Sequence, residues 1–126
     1  ITGTTVYNVK VTDASTGCFA NGTVTVTLAS PLNGTYTVGV GGNYTTLTAA
    51  IADYNSSCIG GPVTFSLIDN TYPSETFPIV INQNSYASAT NTLTIKPAAG
   101  KTPLISGSSA ADPILRSDRT ATSCLK

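Results

Sequence analysis

The chain has 126 residues, of which 40% are hydrophobic and only 10% are charged, and its formal net charge is +0. This hydrophobic content is enough for a packed core and argues against a disordered chain. The balanced charge provides no basic patch for nucleic acid or an anionic membrane, and no apolar run has the length of a membrane-spanning helix. We therefore expect no nucleic-acid partner and no membrane span.

Threonine, serine, asparagine and glycine take the place of the missing charged residues. A surface made soluble by hydroxyls and amides is typical of secreted and surface-exposed β proteins, since soluble domains usually carry far more charge. The sequence has no recognisable signal peptide and starts at Ile1. We therefore expect an internal part of a longer secreted or cell-surface protein.

Histidine is absent, which removes the commonest general base and the commonest metal ligand. The three cysteines, Cys18, Cys58 and Cys124, contain no CxxC pair, so a zinc site is not expected. They allow at most one internal disulfide and leave at least one thiol over. We predict neither a metal nor a cofactor.

Residues 4–29 predict two antiparallel strands. Apolar residues occupy every second position of TTVYNVKVTD and again of GTVTVTLAS. The connector between them, DASTGCFANG, is polar and contains two glycines suited to turns. Because a lone hairpin is at best marginally stable, these strands need a partner sheet.

This segment resembles the last two strands of an immunoglobulin-like repeat from large bacterial surface proteins of the gliding-adhesin type. Such repeats end in the pattern YxVxVTDxxxGC and a following TVTV strand, which match Tyr7, Val9, Val11, Thr12, Asp13, Gly17, Cys18, Val24 and Val26. The resemblance implies that a cysteine such as Cys18 pairs within its own domain, whose upstream half is not in this sequence. Within the chain, Cys18 and Cys58 are the candidate disulfide pair, and the pairing of the three cysteines stays open at this point.

Residues 30–34 (SPLNG) indicate a linker, because Pro31 ends a strand and Asn33-Gly34 is a turn dipeptide. We therefore predict one domain over residues 1–30, the end of an immunoglobulin-like repeat, and a second over residues 31–115. Residues 116–126 lose the alternation, and we interpret them as a surface tail or as sequence foreign to the domain.

One short amphipathic helix is predicted after the strand TYTV and the glycine-rich GVGGN. Its apolar residues recur at the spacing of one helical face: Leu47, Ala50, Ile51 and Tyr54. Thr45 or Thr46 is the expected N-cap, and Asn55 and Ser56 end the helix. A helix of under three turns is not stable alone, so it must lie on an apolar surface.

Five short apolar strands are predicted after the helix: PVTFSLID, FPIVIN, NTLTIKP, TPLISGS and DPILR. Polar loops rich in glycine, proline, asparagine and serine separate them. This pattern is compatible with a sandwich, a barrel or a β-helix.

From about residue 35 to residue 107 the sequence resembles the N-terminal entry of a pectin-lyase-like β-helix. In that family a [YF]xT[IL]xxA[IL] helix caps the stack of strands, a strand ends in a [GN]TY turn, and later strands read IxI and LTIxP. The matching residues are Tyr44, Thr46, Leu47, Ala50, Ile51, Asn70, Thr71, Tyr72, Leu93, Thr94, Ile95, Pro97, Ile105 and Gly107. The resemblance implies a mainly β fold, an incomplete right-handed parallel β-helix with one capping helix, preceded by the antiparallel hairpin.

An incomplete stack of this kind exposes strand edges and an apolar cross-section at its C-terminal end. We expect residues 108–126, another chain or the N-terminal hairpin to cover that end. A homodimer or end-to-end association through open strand edges is therefore predicted.

Two carboxylates are the candidates for hydrolytic chemistry. Asp69 and Glu75 bracket the turn NTYPS, and a glycosidase needs two carboxylates about 5–10 Å apart. No general base, arginine or ligand set accompanies them in the sequence. We favour structural roles, with Asp69 capping a turn and Glu75 simply exposed, and predict no catalytic residue.

Tyrosine rings are the candidates for carbohydrate contact, because an aromatic face packs well on the C–H face of a sugar. We single out Tyr86 in the loop NQNSYASAT, together with Tyr72 and Tyr36. The competing interpretation places Tyr72 as the plug of a turn. The function favoured by the sequence is a non-catalytic extracellular surface or adhesion module with polysaccharide as candidate ligand. The alternative is part of a carbohydrate-active β-helix enzyme, a lyase or glycoside hydrolase, or a carbohydrate-binding module.

Overall fold

The computed structural model describes residues 4–27, 29–110 and 112–122. The chain divides into two compact units, Ile1–Ser30 and Pro31–Lys126. The division lies at the Ser30–Pro31 bond, inside the predicted linker. The fold is mainly β, with antiparallel pairing in the first unit and parallel pairing in the second.

The first unit is a hairpin of β1 (Thr5–Thr12) and β2 (Phe19–Val26). Tyr7 lies opposite Val24, so most apolar residues of the two strands share one face, whereas Val6 and Phe19 lie on the other face. The second strand starts at Phe19, three residues before the predicted start at Gly22, because the FANG segment continues the ladder opposite β1. Leu28, in the predicted second strand, lies outside the described residues.

The turn of the hairpin is organised by Asp13. Its carboxylate accepts hydrogen bonds from Ser15 Oγ (2.7 Å), Ser15 N (2.8 Å) and Thr16 N (3.0 Å). The hydroxyl and N–H donors stabilise the charged form and lower the pKa of Asp13 to about 2, the Ser15 hydroxyl contributing most.

The second unit contains one helix and five strands in its described part. In chain order these are β3 (Leu32–Val38), α1 (Leu47–Ser56), β4 (Ile59–Leu67), β5 (Ile79–Asn84), β6 (Leu93–Pro97) and β7 (Leu115–Thr122). Strands β3, β4 and β6 form one parallel sheet in that order, and β5 and β7 form a second parallel pair.

The parallel pairs repeat at a nearly constant separation along the chain. Tyr36 lies beside Phe65, and Phe65 lies beside Ile95, which are 29 and 30 residues apart. In the second sheet Ile79 lies beside Leu115, 36 residues later. From β4 onwards successive strands alternate between the two sheets, whereas β3 and β4 both lie in the first sheet.

Three predicted segments differ from the structure. The SPLNG segment is not wholly a linker, because β3 already begins at Leu32 and pairs irregularly up to Gly34, whose φ of +93° suits glycine. TPLISGS is not a strand, since its ladder contact is the single bridge from Leu104 to Thr71. Residues 116–122 are not a separate tail, because β7 adds them to the edge of β5.

The structure confirms the predicted apolar face of the helix and its N-cap, Thr46. Its buried residues are Leu47, Ala50, Ile51 and Tyr54, and the Thr46 side chain accepts a hydrogen bond from Ala49 N (3.1 Å). The helix packs mainly against β5. Strand β4 is the centre of the core, because its alternate residues Val63 and Phe65 are both fully buried.

Candidate functional site

A polar cleft of about 480 Å³ lies beside β5 and β7. Most of its lining carries hydrogen-bonding side chains: Asn82, Gln83, Asn84, Ser117, Asp118 and Arg119, with Tyr54, Ile81 and Ala87 completing the wall. This volume lies in the range of small-molecule binding clefts, and amides, a carboxylate and a guanidinium are suited to polar, hydroxyl-rich ligands.

The parallel pairing of β5 with β7 assembles this cleft. Asn82 lies directly beside Asp118, and the register then shifts, so that Gln83 lies beside Ala121. Such an irregularity redirects the side chains on the strand that carries the extra residues. Since 36 residues separate Asn82 from Asp118, no local pattern in the sequence indicated the cleft, and its polar residues were missed. The one usable signal was the amide-rich NQN segment just before Tyr86.

Asn84 fixes the wall of the cleft that is shared with the helix. It is only 3% exposed, and its Nδ2 donates to Tyr54 O (3.2 Å) and to Ser57 O (2.8 Å) at the C-terminal end of α1. Its Oδ1 accepts from Tyr86 N (3.1 Å). One buried amide therefore holds both the end of the helix and the turn that carries Tyr86.

Among the three predicted carbohydrate-contact tyrosines, Tyr86 has the most exposed ring. It is 55% exposed and follows β5 directly, next to the cleft residues Asn84 and Ala87. Tyr72 is buried, and its hydroxyl donates to Val38 O (2.7 Å), so it plugs a turn as the competing interpretation stated. Burial raises the pKa of Tyr72.

Tyr36 is half-buried in an aromatic cluster. Its ring centroid lies 6.0 Å from that of Tyr44 and 6.3 Å from that of Phe65. This ring packs on the edge of the core, on a different sheet from the one that leads to Tyr86. The three tyrosines have different environments, and Tyr86 is the one whose neighbours in sequence, Asn84 and Ala87, line the cleft.

Glu75 is half-buried and binds the start of the helix, so the expectation that it is simply exposed is wrong. Its carboxylate accepts hydrogen bonds from Leu47 N (2.6 Å), Thr48 N (2.7 Å) and Thr48 Oγ1 (2.5 Å). A carboxylate at a helix N-terminus satisfies free N–H groups and complements the helix dipole.

Asp69 also has a structural contact, since its Oδ2 accepts a hydrogen bond from Val40 N (2.7 Å). Asp69 and Glu75 line one cavity of about 110 Å³ together with the Thr71–Ser74 turn. Each carboxylate is held there by backbone donors from another part of the unit, so the carboxylate of Asp69 binds the distant Val40 rather than capping its own turn.

The carboxylate of Asp53 also binds protein groups. It accepts hydrogen bonds from Tyr44 OH (2.6 Å) and Ser57 Oγ (2.8 Å). Burial, reinforced by this carboxylate, raises the pKa of Tyr44. Asp112 forms an ion pair with Arg116 (2.9 Å), and Asp118 lies 3.8 Å from the same guanidinium.

The cysteines do not pair as predicted. Cys18 is a free, exposed thiol in the hairpin turn, whereas Cys58 is disulfide-bonded. The candidate pairing of Cys18 with Cys58 is therefore wrong, because Cys18 takes no part in the disulfide. Cys124 lies outside the described residues.

No protein-family model matches the chain, and neither the curated proteins nor the solved structures include a significant match. In the part of the chain that the structure describes, no helix is both long and apolar enough to cross a bilayer. The same residues contain no cluster of three or more histidine, cysteine or acidic side chains suited to a metal ion.

Proposed function

We propose that the second unit is the N-terminal cap and first coils of a right-handed parallel β-helix, and that the chain is a non-catalytic module of a bacterial cell-surface protein of the adhesin type. The parallel pairs at 29, 30 and 36 residues support a coil of strands, because each coil returns the chain to the same sheets. Right-handedness follows the strong preference of parallel crossovers.

The roles of the acidic residues carry the non-catalytic part of this proposal. The chain has six Asp and Glu residues, and each one contacts a protein donor or cation at a turn, a helix end or a strand. A pair of carboxylates for glycoside chemistry must face a shared substrate site. Asp69 and Glu75 do line one cavity, but its volume of about 110 Å³ is below the range of ligand pockets. These structural contacts of the carboxylates support a non-catalytic module that acts through its surface.

The cleft beside β5 and β7 favours a polysaccharide as the ligand of this module. Its amide, carboxylate and guanidinium groups provide donors and acceptors for sugar hydroxyls. The exposed Tyr86, next in sequence to cleft residues, offers a ring on which a sugar can stack.

A panel of immobilised glycans and a polysaccharide pull-down with the full chain test the ligand. We expect retention on at least one polysaccharide and a loss of about two- to tenfold in Tyr86→Ala, since an aromatic contact contributes roughly 0.5–1.5 kcal/mol. Tyr7→Ala is the matched control, because Tyr7 is 44% exposed in the other unit and should leave retention unchanged. A blank panel, or equal losses in both variants, contradicts polysaccharide contact at the cleft.

The enzymatic alternative is tested on the same polysaccharides. A lyase releases unsaturated products that absorb ultraviolet light, and a hydrolase releases reducing ends. We expect neither signal from the full chain. Turnover that disappears in Asp69→Asn or Glu75→Gln, in protein that keeps its circular dichroism spectrum, would overturn the non-catalytic proposal and leave the fold proposal in place.

A further inference from the structure

Tyr86 lies in a loop, yet amide side chains hold its backbone on both sides. Asn84 Oδ1 accepts a hydrogen bond from Tyr86 N (3.1 Å), and Asn91 Nδ2 donates one to Tyr86 O (3.4 Å). The side chain itself is 55% exposed. Because a tyrosine has only two rotatable side-chain torsions, a ring on a fixed backbone reaches a small range of positions.

The loop that follows the exposed ring is closed by its own hydrogen bonds. Ser88 N donates to Asn91 O (3.1 Å), and Ser88 Oγ accepts from Asn91 N (3.0 Å) and from Thr90 N (3.3 Å). At the start of the loop, Ala87 N donates to Asn84 O (3.0 Å). These contacts lie within the chain and need no ligand. A loop that is ordered before binding loses less entropy when a ligand is held.

Asn84 connects this loop to the helix. Its Nδ2 donates to Tyr54 O (3.2 Å) and to Ser57 O (2.8 Å) at the C-terminal end of α1, where backbone carbonyls lack partners within the helix. The side chain is buried, and since Oδ1 accepts from Tyr86 N, both of its polar atoms are occupied by backbone groups. Asn84 is therefore fixed by the helix and in turn fixes the backbone of Tyr86.

We propose that Asn84 and Asn91 are positioning residues for the polysaccharide and act through Tyr86. This inference rests on the proposed function, since it takes Tyr86 as the ring on which a sugar stacks. The two amides hold the backbone of Tyr86 in the free protein, so a sugar meets a ring that is already in place. Without either amide the ligand has to order this backbone itself, and binding weakens.

Amide hydrogen exchange, measured by NMR on the full chain, tests the positioning without a ligand. The Tyr86 N–H should exchange slowly in the wild type and at least roughly fivefold faster in Asn84→Ala, because its acceptor is lost. Asn55→Ala is the matched control. The Asn55 amide also joins α1 to β5, through Val80 O (2.8 Å) and Asn82 N (2.9 Å), so its loss should leave the exchange of Tyr86 unchanged.

A double-mutant cycle tests whether the amide acts through the ring, using the immobilised polysaccharide that retains the wild-type chain. Asn84→Ala should lower retention about two- to fivefold, and by no more than Tyr86→Ala does. In a Tyr86→Ala background the same change should have no further effect, because no ring is left to position. A general loosening of the cleft would instead lower retention in both backgrounds.

Asn91→Ala provides a second test that leaves the contacts of the helix in place, and it replaces Asn84→Ala if circular dichroism shows that variant to be unfolded. It should speed the exchange of the Tyr86 N–H and show the same dependence on the ring. A Tyr86 N–H that exchanges in the wild type as fast as an unstructured amide overturns the proposal. Losses that add fully in the double variant overturn it as well.

Failure of the proposed function gives a different result. A blank glycan panel contradicts polysaccharide contact, whereas the exchange rates of the Tyr86 N–H need no ligand. They then decide alone whether the two amides hold Tyr86.

Discussion

The hairpin unit and the second unit have the same alternation of apolar and polar residues, but opposite burial. In the hairpin Val11 and Val24 lie on one face and are 67% and 51% exposed, whereas Val63 and Phe65 of β4 are fully buried. The first unit is a single layer of two strands, while the second contributes two parallel sheets and a helix around one core. Alternation therefore specifies which face is apolar, and burial needs a second layer.

The largest expected difference between the two units is the loss of unfolding free energy when an aromatic ring is removed from each. We expect Phe65→Ala to lower the free energy of unfolding by about 3–5 kcal/mol, because it removes a fully buried ring and leaves a cavity. Phe19→Ala should cost less than about 1 kcal/mol, which includes the loss of its contact with Lys10 Nζ. Urea denaturation measures both. Equal losses would show that the ring of Phe19 is buried in solution.

The second unit should also lose stability at alkaline pH. We expect this loss to be the next largest, because three tyrosines contribute to it. Burial raises the pKa values of Tyr44, Tyr54 and Tyr72 above the ordinary 10.0. Above that pH the unfolded chain releases protons that the folded unit retains, so this stability is complete below pH 10 and falls as the pH rises further.

Urea unfolding on either side of pH 10, followed by tyrosinate absorbance, checks this prediction. Tyr44→Phe is the control, because it keeps the ring, removes the ionisable hydroxyl, and should show a smaller decline above pH 10. An unchanged decline in that variant would contradict the role assigned to Tyr44.

Loss of the Glu75 charge at the helix N-terminus should lower the stability of the second unit by an intermediate amount. Glu75→Gln keeps one acceptor oxygen but loses the charge at the helix N-terminus, and we expect a loss of about 1–2 kcal/mol in unfolding free energy. Thermal unfolding measures the change. Ser74→Ala, an exposed neighbour, should stay within about 0.5 kcal/mol of the wild type. A matching loss in that control would assign the effect to the loop.

The smallest effect is expected in the hairpin turn. Hydrogen bonds, chiefly from Ser15, lower the pKa of Asp13 from 3.8 to about 2, so the contribution of this turn is present above pH 3.8 and is lost as the pH falls towards 2. The amide NMR signals of Ser15 and Thr16 should shift with a midpoint near 2. A midpoint near 3.8 would mean that the turn is not formed in solution, and Asp13→Asn should remove the transition.

Local patterns predicted the elements whose signals lie within a few residues. The apolar face of α1, its Thr46 cap and the core of each long strand are short-range features, so period and cap chemistry were sufficient. Boundaries were less accurate where pairing overrode local preference, as at Phe19 and at Leu32. Residues 116–122 lack any alternation, and only the neighbouring edge of β5 makes them a strand.

The candidate cleft and the contacts of the carboxylates are long-range features. Asn82 and Asp118 meet because β7 pairs in parallel with β5, and Glu75 reaches the helix N-terminus across 28 positions of sequence. No window of sequence contains both partners of either contact. The sequence therefore indicated Tyr86 and left the polar wall beside it unrecognised.

By itself, the sequence determined that the chain is mainly β and that one short helix buries a single face. Those properties follow from the spacing of apolar residues and from turn-forming residues close together in the chain. The tertiary structure decided which strands are neighbours and which apolar faces are covered. These depend on contacts between residues about 30 positions apart, because burial and hydrogen bonding act on the groups that strand pairing brings together.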